Sequence, residues 1–205
     1  MARRSQHTLE EIKTMVLNAA ETLVIEQGAK ALTMRNIAFE IGYTVGSIYM
    51  VFENMSDLIL HLNARTLDAM TAQFEQIPNG IPEKCIEELA KRYLHYARDN
   101  FNCWCLLFEH HPQQGRELPN WYRDRIEQVF SRFESEFRNI APDHLETSNK
   151  QAARALWGGI HGICMLSLTG KFAAAGGDDV EESVLLLVRS YIDGWLRGAS
   201  SSQNS

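Results

Sequence analysis

Residues 32–59 read Leu-Thr-Met-Arg-Asn-Ile-Ala-Phe-Glu-Ile-Gly-Tyr-Thr-Val-Gly-Ser-Ile-Tyr-Met-Val-Phe-Glu-Asn-Met-Ser-Asp-Leu-Ile. The stretch lays out two very short helices with a glycine between them. The first has a threonine cap at Thr33 and an apolar stripe at Ile37, Ala38 and Ile41. Gly42 supplies the stop, because glycine takes a positive φ at little cost. The second starts at Thr44 and carries Ile48, Tyr49 and Phe52 at helical spacing. Two short helices across a glycine turn outline a helix-turn-helix, which presents its second helix to the DNA major groove. A helical hairpin in any all-α protein gives the same bare pattern.

The residues that the second helix leaves outward fit DNA. Thr44 and Ser47 offer hydroxyls, Gly46 admits a phosphate close to the backbone, and Val45 and Met50 complete the face. Tyr49 packs by its ring and reaches out with its hydroxyl. A helix N-terminus favours negative charge through its free N–H groups and dipole. Thr33 and Arg35 open the first helix and are placed for phosphates.

These residues carry a resemblance. The segment resembles the DNA-binding half of tetracycline-repressor (TetR/AcrR) transcriptional regulators. The matching positions are Gly28, Leu32, Thr33, Ile37, Ala38, Gly42, Thr44, Gly46, Ser47, Ile48, Tyr49, Phe52 and Leu58. There are two departures. Val45 stands where proline is common, a mild change because proline merely favours a first helical turn. Met55 stands where the family usually has a lysine on a phosphate. Losing one such contact lowers affinity and the salt slope by about 0.9.

The preceding sequence supports the motif. Thr8-Leu-Glu-Glu has capping-box form, with Glu11 three residues after Thr8. Ile12, Met15, Val16, Ala19, Leu23 and Val24 then share a face, and Gly28 ends the helix. Arg3 and Arg4 lie ahead of it on a polar segment. In related repressors such an arm reaches the minor groove or a phosphate; a start that touches nothing is the other reading. Residues 1–55 hold five basic and six acidic residues, in a chain of net charge −6. Nucleic-acid domains are usually basic, so binding here depends on a few well-placed contacts. Whether Glu10, Glu11, Glu21 and Glu26 face the duplex is left open by the sequence.

At 205 residues and 45% apolar, the chain is large enough for two small cores. No stretch reaches the roughly 18–20 apolar residues of a membrane span. The start shows no signal peptide, so a cytoplasmic protein is expected. Cys85, Cys103, Cys105 and Cys164 are then expected to be reduced thiols.

The remainder reads as helical throughout, about nine helices in all, with loops near 77–82 and 113–119. Helix eight is expected over about 148–171, a flexible break over 173–179, and helix nine over about 180–198. The last two are apolar nearly all round, so they are buried on more than one side. A subunit interface built on Trp157, Ile160, Leu187, Tyr191 and Trp195 accounts for this, with Gly158, Gly159 and Gly162 permitting close approach. Trp157-Gly-Gly-Ile-His-Gly162 also resembles the Trp-x-x-x-His-Gly signature of one C-terminal subgroup of the same family.

Cys103, Cys105, Glu109, His110 and His111 lie close together. Their spacing departs from structural zinc sites, and Cys103 and Cys105 fall on different helix faces. No metal, cofactor or enzyme chemistry is expected. The resemblance implies a small-molecule effector held in the C-terminal helices. Tyr93, Tyr96, Trp104, Phe108, Trp121 and Phe130 supply aromatic surface suited to an apolar or aromatic ligand. His161 is either a ligand contact or a satisfied buried histidine.

The expectation is an all-α chain of three parts. Residues 1–55 form a three-helix helix-turn-helix domain, 56–199 a helical bundle for ligand binding and dimerisation, and 200–205 a disordered tail. Its expected partners are a double-stranded DNA operator, a second copy and an effector, with no membrane. Its expected function is that of a ligand-responsive repressor. The alternative is an all-α small-molecule binding protein whose helix-turn-helix is purely structural.

Overall fold

The computed structural model describes residues 7–109 and 117–202, with side chains as far as Arg197. The helices are α1 (Leu9–Gln27), α2 (Met34–Ile41), α3 (Val45–Ile48), α4 (Met55–Glu75), α5 (Pro82–Asp99), α6 (Phe101–Glu109), α7 (Asn120–Ile140), α8 (Glu146–Leu168), α9 (Lys171–Ala174) and α10 (Val180–Ser202). A single 3-10 turn at Ala29–Ala31 follows α1. Among the described residues there is no strand, so the fold is all-α as the periodicity predicts.

The chain divides into two compact units. One comprises the chain through Leu67 together with Asn100–Arg123; the other comprises Asp68–Asp99 and everything from Asp124 onward.

In the first unit α1 is capped as its sequence predicts. The Thr8 hydroxyl accepts from the Glu11 N–H, and the Glu11 carboxylate accepts from the Thr8 N–H at 2.7 Å. Gly28, at φ 77°, closes the helix. The buried stripe is Ile12, Val16, Leu17, Ala20, Leu23 and Val24, while Met15 and Ala19 are half-buried. It packs on Leu32, Ile37, Ala38, Ile48, Phe52, Leu58, Leu62 and Leu106. Burying a side chain of this size stabilises by about 1.5–3 kcal/mol. The unit runs past residue 55, the boundary expected from sequence, because Leu58 and Leu62 of α4 and Leu106 of α6 complete its core. Two polar links reinforce it. Arg65 donates to Glu21 at 2.7 Å and to Asn18 at 2.9 Å, and Asn102 donates to the Ile25 carbonyl at 2.9 Å.

In the second unit α10 packs on α8 and α5. A Cβ at Gly159 would lie 2.8 Å from a Leu187 methyl, so glycine here lets the two helices approach closely. Glu87 on α5 accepts from Lys84 and from Arg189 on α10, and Glu181 on α10 pairs with Lys91 and His95 on α5. Phe137 of α7 stands edge-on to Trp195 at 5.1 Å.

The structure corrects three expectations about local structure. The described residues hold ten helices, because α8 stops at Leu168 and Lys171–Ala174 forms a separate short helix that runs from the expected end of helix eight into the start of the expected flexible break. There, Gly177 lies so close to the Phe172 ring that a Cβ would sit 2.3 Å from it. The helix expected to end near residue 198 continues to Ser202, into the segment read as a disordered tail. Residues 203–205 lie outside the described residues, as do Arg3 and Arg4.

Gly42 adopts φ 68° and ψ 28° with nothing within 4 Å of a would-be Cβ. The cost of a side chain there is therefore conformational alone. Gly42→Ala is expected to lower stability by about 1 kcal/mol, and Gly42→Asn by less, because asparagine tolerates this region better. Thermal melts of both variants measure this.

Candidate nucleic-acid interface

The interface is built by two caps and a turn. The Thr33 hydroxyl accepts from the Asn36 N–H at 3.1 Å and starts α2; the Asn36 amide donates to the Ala31 carbonyl at 2.8 Å. The left-handed Gly42 closes α2 with its N–H on Ala38 and Phe39 carbonyls. Tyr43 donates its N–H to the Ala38 carbonyl at 3.0 Å. Thr44 then caps α3, accepting from the Ser47 N–H at 3.3 Å, and its hydroxyl lies 3.1 Å from that of Ser47.

Regular helix in α3 covers four residues only, and the chain continues as turns. Tyr49 donates to the Val45 carbonyl and Phe52 to that of Ile48. This element is shorter than the pattern Ile48, Tyr49, Phe52 predicts, and one consequence is electrostatic. A one-turn helix has little dipole, and the Thr44 oxygen already satisfies its Ser47 N–H. The anion site expected at this N-terminus is therefore weak.

Ile48 is 0% exposed and Phe52 2%. They anchor the segment to the core, and their neighbours Tyr49 and Met50 stand out at 54% and 65%. Thr33, Arg35, Thr44 and Gly46 are exposed; Val45 and Ser47 are half-buried. The eight candidate residues therefore lie in one local stretch, with Val45 also packed against the core. Met55, in place of the usual lysine, packs against that core as well, which gives its apolar side chain a structural use.

Two of the four glutamates in question are committed elsewhere. Glu11 closes the α1 cap, and the two Thr8 hydrogen bonds hold its carboxyl below the usual carboxylate range. Glu21 pairs with Arg65. Glu10 and Glu26 remain exposed.

The aromatic residues read as ligand surface fall into two groups. In the second unit the Tyr93 hydroxyl lies 2.9 Å from His161 Nδ1. Trp157 stacks on His161 with centroids 5.3 Å apart, and meets Phe130 edge-on at 5.2 Å. Arg154, held by Glu127 and Glu134, covers Phe130 at 4.8 Å. Tyr96 is buried in the same unit. In the first unit Trp104 packs on Phe108, and Trp121 stacks on His61 at 4.6 Å. His61 also meets Phe52 edge-on at 5.5 Å. His61 escaped the sequence reading; its only signal was Asp57 one helical turn earlier, 3.8 Å away.

The five residues assigned to a subunit interface all make contacts inside the protomer. Trp157 belongs to the cluster just described, Leu187 packs on Gly159, and Tyr191 and Trp195 meet Phe137. Ile160 is fully buried, which removes it from any interface. Trp157, Leu187, Tyr191 and Trp195 stay half-buried, and the more outward positions of these helices are Gly158, Gly162 and Gly194, where an added Cβ meets nothing, with Leu166 44% exposed and Leu186 63%.

Cys103 and Cys105 are free thiols. Burial pushes both above the usual thiol range, helped by Glu21 for Cys103 and Glu109 for Cys105. His110 and His111 lie outside the described residues. Among the described residues no three His, Cys, Asp or Glu side chains converge as a metal requires, and no helix is long and apolar enough to cross a membrane.

Residues 16–62 match the family described as bacterial regulatory proteins, tetR family; residues 86–191 match the tetracyclin repressor-like, C-terminal domain. A relative is the HTH-type transcriptional regulator SAUSA300_2515 of Staphylococcus aureus (strain USA300), 33% identical over 76 residues. That match spans 37% of each chain. Among solved structures, a protein of unknown function from Rhodococcus sp. RHA1 superposes with a TM-score of 0.70 at 17% identity, covering 97% of this chain and 98% of that one. A tetR-family transcriptional regulator from Streptomyces coelicolor gives 0.69 at 14% identity, covering 96% of this chain and 85% of that one. At these identities the likeness is one of fold.

Burial depresses the His161 pKa below its ordinary value. Its contribution to stability is thus present above the unfolded value of about 6.5 and is lost as pH falls through the folded value. Melts at about pH 7.5 and 5.5 are expected to differ less for His161→Gln than for the native chain.

Proposed function

Because this chain belongs to the tetR family of bacterial regulatory proteins, we propose that it is a ligand-responsive repressor binding a palindromic operator as a homodimer. The family makes it a DNA-binding transcriptional regulator; repression, the dimer and the effector are the proposal. The observation that carries it is the exposure of Tyr49 and Met50 on a segment anchored by Ile48 and Phe52.

In this reading each subunit sets α3 in a major groove, the two half-sites about 34–36 Å apart or at a related spacing. Thr44, Val45, Gly46, Ser47, Tyr49 and Met50 face the DNA, with Thr33 and Arg35 on phosphates. The second copy packs on the outward side of α8 and α10. Gly158, Gly162 and Gly194 there leave backbone open to close approach, and Leu166 and Leu186 supply apolar surface.

The effector belongs with Tyr93, Phe130, Trp157 and His161. Three rings and a hydroxyl–imidazole pair favour an apolar or aromatic molecule with a hydrogen-bonding group. It acts by binding one conformation better than another, a coupling of typically 1–3 kcal/mol, or about 5–150-fold in DNA affinity.

Mobility shifts on the DNA upstream of the chain's own coding sequence test the surface. Arg35→Ala is expected to weaken binding on every sequence alike and to lower the salt slope by about 0.9. Tyr49→Ala is expected to cost binding without changing the melting temperature; full operator binding in both variants overturns the assignment. Leu166→Glu is expected to shift the protein from dimer to monomer by sedimentation and to abolish the symmetric footprint.

A further inference from the structure

Leu106 of α6 completes the buried core of the first unit and borders two voids. One, shared with Val24, Leu62 and Cys103, is about 10 Å³, no more than a single water needs. The other is a cavity of about 190 Å³ that opens to solvent. Its remaining walls are Ala29 and Leu32 of the 3-10 turn and its cap, Ile59 of α4, and Glu109 at the end of α6. All five lining residues belong to the first unit, so the cavity lies within the DNA-binding part of the chain. Leu32 is buried; Ala29 and Ile59 are half-buried and pack against the same core as Leu106. Glu109 is exposed.

Size and lining define the guest. A cavity of about 150 Å³ with aliphatic and aromatic walls holds a benzene-sized molecule. Four of the five lining residues here are aliphatic, so the body of the guest is apolar. The fifth is a carboxylate. Lys30 follows Ala29 in sequence but does not line the cavity. An ammonium on the guest therefore meets an opposite charge while its body displaces water from the apolar walls. A carboxylate on the guest meets a like charge.

We propose that this cavity is a ligand site for a small organic cation. An aryl or short alkyl body sits on Ala29, Leu32, Ile59 and Leu106, and its ammonium faces Glu109. The site is additional to the effector cluster of Tyr93 and His161, which belongs to the other unit. It joins the turn that leads into α2 to α4 and α6, so a bound cation braces the first unit directly. The proposal does not rest on how α3 meets DNA.

The test uses the full chain and three probes of one size: benzylammonium, neutral benzyl alcohol and benzoate. Titrations followed by NMR compare the native chain with Ala29→Leu, Glu109→Gln and His161→Gln. Benzylammonium is expected to bind the native chain with a Kd on the order of 1 mM and to raise its melting temperature. Benzyl alcohol is expected to bind up to about fivefold more weakly, the worth of one exposed ion pair, and benzoate more weakly again. Glu109→Gln is expected to bring benzylammonium down to the level of benzyl alcohol and to leave benzyl alcohol unchanged. Ala29→Leu puts methylenes where the guest sits and is expected to weaken both by about tenfold. His161→Gln is expected to change neither. Binding that survives Ala29→Leu, or that is lost in His161→Gln, overturns the site. Equal affinity for the three probes, or indifference to Glu109→Gln, overturns the cation. No binding of benzylammonium at about ten times the expected Kd overturns both. Glu109→Gln, at an exposed position, keeps the test decisive whatever Ala29→Leu does to folding.

Discussion

The seating of Ile48 and Phe52 in the core formed with α1 is what gives α3 a direction. A single helical turn has no stability of its own, because nucleation fixes several residues for one hydrogen bond. Here the turn is held from below by two side chains with almost no exposure and from its start by the Thr44 cap. Everything that faces outward inherits its geometry from those buried contacts. The same core draws in Leu58 and Leu62 from α4 and Leu106 from α6. The core that holds α3 thereby includes one helix, α6, more than fifty residues further along the chain.

The second unit is organised by a different constraint, the approach of α8 to α10. Gly159 removes the side chain that would meet Leu187, and ion pairs from Glu87 and Glu181 tie α10 to α5. Glu87 is nearly buried, yet its carboxyl lies below the ordinary range, foremost because Arg189 donates to it. A carboxylate removed from water is tolerated only when paired in this way.

Much of the first unit was legible because its signals are local. Thr8 with Glu11, Thr33, Gly42 and Thr44 each act within three or four residues, and all four caps form as read. The Ile37, Ala38, Ile48 and Phe52 stripe is a short-range period. The aromatic residues were not legible in the same way. Tyr93 and His161 meet across 68 positions and Trp121 reaches His61 across 60, and no spacing announces such pairs. Trp104, Phe108 and Trp121 have the same composition as Tyr93 and Phe130 yet belong to a different unit. The apolar residues of α8 and α10, expected to be buried on more than one side, divide within the protomer between a core face that includes Leu156, Ile160, Val184, Val188 and Ile192 and outward positions such as Leu166 and Leu186. Glycines mark the distinction: Gly159 faces Leu187 whereas Gly158 faces open space, one residue apart on a helix of 100° steps.

The shortness of α3 has a bearing on how such a chain changes over generations. Tyr49 and Met50 project from a turn that the buried Ile48 and Phe52, with the Thr44 cap, hold in place. Substitution at exposed sites of this kind usually alters stability by less than about 0.5 kcal/mol. On the proposed reading, the positions that face DNA are thus nearly decoupled from those that maintain the fold: a preference among operators could drift one residue at a time, each intermediate still folded, while Ile48 and Phe52 stay fixed by the core.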